Sequence, residues 1–257
     1  MTKLFLDSNV AAGIITFSPA NTSPDFTTWD DKGLDWRTAP SDLIQGEVLG
    51  NLVAEDGHKI IGIIYQYDAY GTGLYGVVKK VFESTGGTVV AEASYNDGDS
   101  SFDAQVATIA AAKPDAVVLV TFDQFSTIAP LLVNAGIPAK NFYLVDGNLK
   151  QWGSTVSVSL EGAKGTTPGP VLEDDFKDRL NAAWTKANNP PLEDYSYAAE
   201  SYDAVVLLAL ASLTAQSTTG ADIAGKLQEV SGGSGKGEKC TSFAKCADII
   251  LGGGVAD

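Results

Sequence analysis

Four short apolar runs constrain this chain more than any other feature. They lie at 60–65 (IIGIIY), 89–93 (VVAEA), 116–120 (AVVLV) and 142–145 (FYLV), starting 26 to 29 residues apart. Runs this short and rich in β-formers suit buried parallel strands. Between them the spacing turns helical. Leu74, Val77, Val78, Val81 and Phe82 recur at i, i+3, i+4, i+7 and i+8. Phe102, Val106 and Ile109 follow the same logic, as do Ile128, Leu131, Leu132 and Ala135. The stretches STGG (84–87) and NAGIP (134–138) stop two of these helices. Strand alternating with helix predicts a parallel sheet, right-handed crossovers and helices on both faces.

The flanks predict a second, less complete body. A strand at 13–17 leads into the loop SPANTSP, and Ser41 or Asp42 can cap a helix running to about Asp56. GAKGTTPGP (162–170) is a Gly- and Pro-rich crossover. Helices follow at 174–184 and 197–213, and SGGSGKGEK (231–239) is a flexible loop. The expected division is 1–57 for part of a first lobe, 58–165 for a second lobe and 166–257 for a return to the first. A doubly wound lobe needs about five strands to bury two helical layers. The flanks supply one or two.

A formal charge of −15 argues against nucleic acid as a partner, since that needs a basic face. The apolar run at 205–211 falls short of the ~20 residues of a membrane span. MTKLFLDSNV has neither the apolar stretch nor the small-residue cleavage site of a signal peptide. Cys240 and Cys246 are read as a disulfide, since a metal would want further ligands nearby and His58 is the only histidine. Six residues of straight helix rise about 9 Å, beyond disulfide reach, so one cysteine must lie outside regular helix.

Ligands of open parallel sheets bind beyond the carboxyl ends of strands. Those positions carry SPANTSP, QYDAYGTG, SYNDGDS, TFDQF and DGNLK. They offer hydroxyls, aromatic rings and one well-placed carboxylate, Asp146. The set suits a small zwitterion, with hydroxyls and main-chain N–H groups for a carboxylate, an acid for an ammonium, and rings over the apolar part. Each residue also has a plainer reading. Asp146 before Gly147 suits a turn, Tyr70 a helix start, Phe122 a core position, and Asn21 or Thr22 a cap. No catalytic set stands out, and no cofactor or metal is expected. G-x-S-x-G is absent, His58 enters a strand at its amino end, GTG (71–73) lacks dinucleotide spacing, and NDGDSSFD lacks the last ligand of a calcium loop.

FSPANTSP, WRTAPSDLIQG, YDAYGTGL, FYLVDG and AAESYDAVVLLA occur in this order. Together they resemble the type I substrate-binding proteins of ABC transporters, in particular the leucine/isoleucine/valine-binding branch. The resemblance covers nearly the whole chain. It implies an α/β fold of two doubly wound parallel-sheet lobes joined by three crossovers and closing on a ligand. It implies a non-enzymatic receptor in the periplasm or at the outer face of the membrane, partnered by a permease. It places the ligand's α-carboxylate on the SPANTSP loop, which begins at Ser18. Ala20 and Asn21 match main-chain contacts there, and Thr22 the hydroxyl donor. Tyr70 matches the aromatic of YGxG, and Phe122 an aromatic after the third strand. Asp146 matches the family's usual Glu for the α-ammonium and is one methylene shorter. The family has roughly a hundred residues before the strand matching 13–17, and further strands after CTSFAKCADII. Neither has a counterpart here, so the chain is expected to be an internal fragment with an incomplete first lobe. The alternative on the same fold is the ligand-binding domain of a sensory receptor.

Overall fold

The computed structural model describes residues 2–257. In chain order, α1 is Leu6–Ala11, β1 Thr16–Ser18, β2 Asp35–Arg37 and α2 Asp42–Glu55. There follow β3 Ile60–Gln66, α3 Ala69–Ser84, β4 Thr88–Tyr95, α4 Asp103–Ala112, β5 Ala116–Val120, α5 Phe125–Asn134 and β6 Phe142–Leu144. The chain ends with β7 Lys164–Gly165, α6 Asp174–Lys186, α7 Ala198–Ala215, α8 Gly220–Val230 and α9 Phe243–Leu251. These elements form two compact units. The larger comprises Thr22–Asp25 and Pro40–Ser196. The smaller comprises the segment up to Asn21, Phe26–Ala39 and Tyr197–Asp257.

The larger unit is built on a parallel five-stranded sheet in the order β4-β3-β5-β6-β7. Alternate strand residues feed opposite faces. On one side Ile64, Val117, Leu119, Phe142 and Leu144 pack with Phe102, Val106 and Ile109 of the α4 region and with Phe125, Ile128 and Leu132 of α5. On the other, Ile61, Ile63, Ala116, Val118, Val120, Tyr143 and Val145 pack with Leu49 and Val53 of α2 and with Leu74, Val78 and Phe82 of α3. The chain leaves β3 outward to β4, then returns past β3 to β5. The carboxyl ends of β3 and β5 therefore flank the switch point, where neighbouring crossovers run in opposite directions and a crevice opens.

Helix α2 starts at Ser41, whose hydroxyl accepts from the Leu43 N–H at 3.3 Å. It packs with the larger unit, whereas the segmentation read from sequence placed it ahead of a boundary at 57. Gly46 and Gly50 bring it close to α3. A Cβ at Gly46 would sit 2.7 Å from Val77 Cβ, and one at Gly50 3.0 Å from Val81 Cβ. The Gly/Pro-rich crossover also holds a strand the sequence pattern did not reveal, β7. Its Lys164 ammonium lies 2.6 Å from Asp56. Hydrogen bonds from Lys164 and Tyr143 hold the Asp56 carboxyl below its ordinary range.

In the smaller unit β1 and β2 form a two-stranded parallel sheet, with Thr16 opposite Asp35. The first strand begins later than the expected 13–17. Ile15, Phe17 and Trp36 pack with Leu210 and Ala211 of α7, Leu227 and Val230 of α8, and Ala247 of α9. Gly220 opens α8 against the Gly13 carbonyl, which a Cβ would approach to 2.3 Å. A disulfide joins Cys240, ahead of α9, to Cys246 within it, with Cα atoms 5.4 Å apart. Such a thin sheet covers little apolar surface, and Ile14, Val205, Leu251 and Val255 are exposed.

Candidate functional site

Three of the sequence-predicted residues meet at the carboxyl edge of the larger unit's sheet. Tyr70 stands in the first turn of α3. Asp68 caps that helix, its carboxylate accepting from the Gly71 N–H at 2.7 Å and from Gln66 Nε2 at 2.9 Å. Gly71 presses on the end of β3 so closely that a Cβ would fall 2.0 Å from the Gln66 carbonyl. Helix and strand are thus joined without slack, and Tyr70 is aimed by both. Its hydroxyl donates to Asp146 Oδ1 at 2.6 Å. Its ring lies 5.0 Å from that of Phe122, centroid to centroid, tilted by 36°. Phe122 follows β5 and remains 36% exposed.

Asp146 lies just beyond β6 in a turn closed by the Asn148 N–H, which donates to the Val145 carbonyl at 3.0 Å. Gly147 lets this turn lie against the neighbouring strand end. A Cβ there would be 2.7 Å from the Thr121 carbonyl and 2.9 Å from the Phe122 ring. The outcome is a half-buried carboxylate beside two aromatic rings, one of them partly open to solvent. Lys150 borders the cluster, bonded to Asp123 at 2.6 Å and set over the Trp152 ring at 4.5 Å. Below, Tyr95 is buried, and burial pushes its hydroxyl well above the ordinary tyrosine range.

The SPANTSP loop is held by its own Ser18 and by neighbouring segments. Ser18 Oγ accepts from the N–H groups of Ala20 at 3.3 Å and Asn21 at 3.0 Å. The Asn21 carbonyl accepts from Arg37 at 3.0 Å, and Asn21 Nδ2 donates to Thr2 Oγ1 at 3.0 Å. Ser18, Ala20 and Asn21 belong to the smaller unit, and Thr22 to the larger. There Thr22 is buried, and its carbonyl accepts from the Asp42 N–H at 2.8 Å. The main-chain donors matched to a ligand carboxylate are therefore engaged by Ser18.

Sequence reasoning missed Asp68, Gly147 and Asn148, none of which needs to touch a ligand. Their signals were present as an acid one residue before a helix start in YDAYG, and as Gly-Asn after the acid in VDGN. Among the described residues no group of three or more His, Cys, Asp or Glu side chains is placed to hold a metal ion.

Comparison with known proteins adds an independent line. A family model described as "Periplasmic binding protein" matches residues 7–242. A chemotactic signal transduction system substrate-binding protein, BasB, of Halobacterium salinarum is 25% identical across 97% of the chain and 59% of its own length. A leucine-, isoleucine-, valine-, threonine-, and alanine-binding protein of Pseudomonas aeruginosa is 27% identical across 77% of the chain and 52% of its own length. The chain thus spans about half the length of the curated relatives it matches. Among solved structures, a periplasmic binding protein type 1 from Bordetella pertussis superposes with a TM-score of 0.76 at 21% identity, covering 89% of this chain and 67% of that one.

Proposed function

Because the chain belongs to the periplasmic binding protein family and has its type I fold, we propose that it captures a small amino acid of the branched-chain type, or a related solute, outside the cytoplasm and delivers it to an ABC permease. The observation that carries this reading is the Tyr70–Asp146–Phe122 cluster at the switch point. A carboxylate accepts through two oxygens, and in this reading Asp146 receives the N–H groups of an α-ammonium. The adjoining rings cover an apolar side chain and attract the cation through their faces.

The test is calorimetric titration of the protein with a panel of amino acids, amides and aromatic acids. Asp146→Ala is expected to weaken binding of the preferred amino acid at least a hundredfold. Near-wild-type affinity in that variant removes Asp146 from the site. A second reading, a ligand-binding component of a sensory system, is favoured by the BasB match across 97% of the chain. Co-purification from membranes with a permease supports transport, and co-purification with a transmembrane signalling receptor supports sensing.

A further inference from the structure

We propose that Asn148 is the positioning residue of this site, holding Asp146 and Phe122 in register by tying the ends of β5 and β6 together. Asn148 is completely buried, at 0% exposure. Every polar atom of its side chain is used. Oδ1 accepts from the Val145 N–H at 2.9 Å. Nδ2 donates to the Leu119 carbonyl at 2.7 Å and to Thr121 Oγ1 at 2.8 Å. Its main-chain carbonyl accepts from Trp152 Nε1 at 2.9 Å. The two residues carrying the site hang directly from these anchors. Asp146 lies between Val145 and Asn148, and Phe122 follows Thr121.

The β5–β6 ladder itself stops short of both residues. Its last pair is Leu119 with Leu144. Beyond that point no strand pairing fixes where Asp146 stands relative to Phe122, and Asn148 replaces it. The demand is specific to one side chain. The site needs one acceptor facing Val145 and two donors facing Leu119 and Thr121, which among short side chains only an amide provides. A carboxylate would set an oxygen against the Leu119 carbonyl. A hydroxyl is too short to span both strand ends. Glutamine carries its amide one carbon further, in a place with no spare room.

That the held geometry serves amino acid binding rests on the function proposed above, so the decisive readout is the geometry itself. In the full chain, Tyr70 and Phe122 are labelled for NMR, and the ring-to-ring Overhauser contact is followed in wild type, Asn148→Ala and Asn148→Asp. L-leucine affinity is measured alongside. Asn148→Ala is expected to lose the contact while keeping dispersed, folded spectra, with leucine bound at least tenfold more weakly. Asn148→Asp is expected to lose it at pH 7.5 and recover it as acidification protonates the introduced carboxyl, which burial raises above the ordinary range. An effect of volume alone would show no such recovery. If Asn148→Ala does not fold, Asn148→Asp carries the test. A ring contact of wild-type intensity in folded Asn148→Ala, or in Asn148→Asp at pH 7.5, overturns the proposal. If wild type binds no leucine, the proposed function is weakened, while the ring contact still decides the role of Asn148.

Discussion

Gly147→Ala tests whether the candidate site depends on close backbone approach. The added methyl would lie 2.7 Å from the Thr121 carbonyl and 2.9 Å from a Phe122 ring carbon. Carbon contacts are optimal at ~3.5–4.0 Å, so something must move by well over half an ångström. Thr121 has little freedom, because Asn148 binds its hydroxyl and the Leu119 carbonyl nearby. The Phe122 ring, partly exposed, is the part able to yield. Overpacking of this kind costs ~1–3 kcal/mol. For a chain of this size each kcal/mol moves the melting temperature by ~2–4 °C, so a cost of about 2 kcal/mol gives a fall of about 4–8 °C. Gly76→Ala is the internal control. Gly76 lies inside α3, and a Cβ there meets nothing within 4 Å. Alanine is favoured over glycine in a helix interior by ~0.5–1 kcal/mol, so this variant should melt about 1–4 °C higher. Circular dichroism melts compare the three proteins, and titration with L-leucine shows whether displacing Phe122 weakens binding in Gly147→Ala alone. A Gly147→Ala protein melting within a degree of wild type would refute the steric reasoning. So would glycine variants that both shift the same way.

Two other substitutions probe single interactions. Tyr70→Phe removes the 2.6 Å bond to Asp146 while leaving the ring beside Phe122. Calorimetry is expected to show about tenfold weaker amino acid binding, in line with the ~1.5–3 kcal/mol of a hydrogen bond to a charged group, part of which the ligand's ammonium recovers; unchanged affinity would mean that the hydroxyl is idle. In the smaller unit, Asp35 has one buried carboxylate oxygen without a hydrogen-bond donor. Burial, reinforced by Asp31 and opposed by Arg37, lifts its pKa from 3.8 to about 6. The folded state therefore holds this proton longer than the unfolded chain does. The stability it contributes is intact below about pH 4 and is lost as pH rises through about 6. Asp35→Asn should accordingly be more stable than wild type by about 2 kcal/mol at pH 7.5, after allowance for partial solvent screening, and indistinguishable from it at pH 3.5. Denaturant melts at the two pH values check this, and an equal gain at both would show that charge is not the cause.

What could be read from sequence was what periodicity encodes. The run at 116–120 is β5 as it stands, and the helical spacing of Leu74, Val78 and Phe82 is the buried stripe of α3. Tyr70, Phe122 and Asp146 were legible because the end of each parallel strand is a known place to look. The strand β7 was not legible, since Lys164 and Gly165 carry no apolar pattern and pair only because β6 lies alongside. Helix α8 was also hidden, beginning at a glycine that the composition reads as a turn.

The βαβ rhythm, the faces of its helices and the residues at the strand ends are written in the order of amino acids, because burial periodicity and turn chemistry are local. Which of those ends became neighbours was decided only in the tertiary structure. The order β4-β3-β5-β6-β7 places the switch point between β3 and β5 and brings Tyr70, Phe122 and Asp146 together from positions up to 76 residues apart. Their fine geometry depends on close contacts: Gly71 against Gln66, Gly147 against Thr121, and Asn148 between two strand ends. A carboxylate and two rings become a candidate site when the packing of the sheet leaves them no other place to stand.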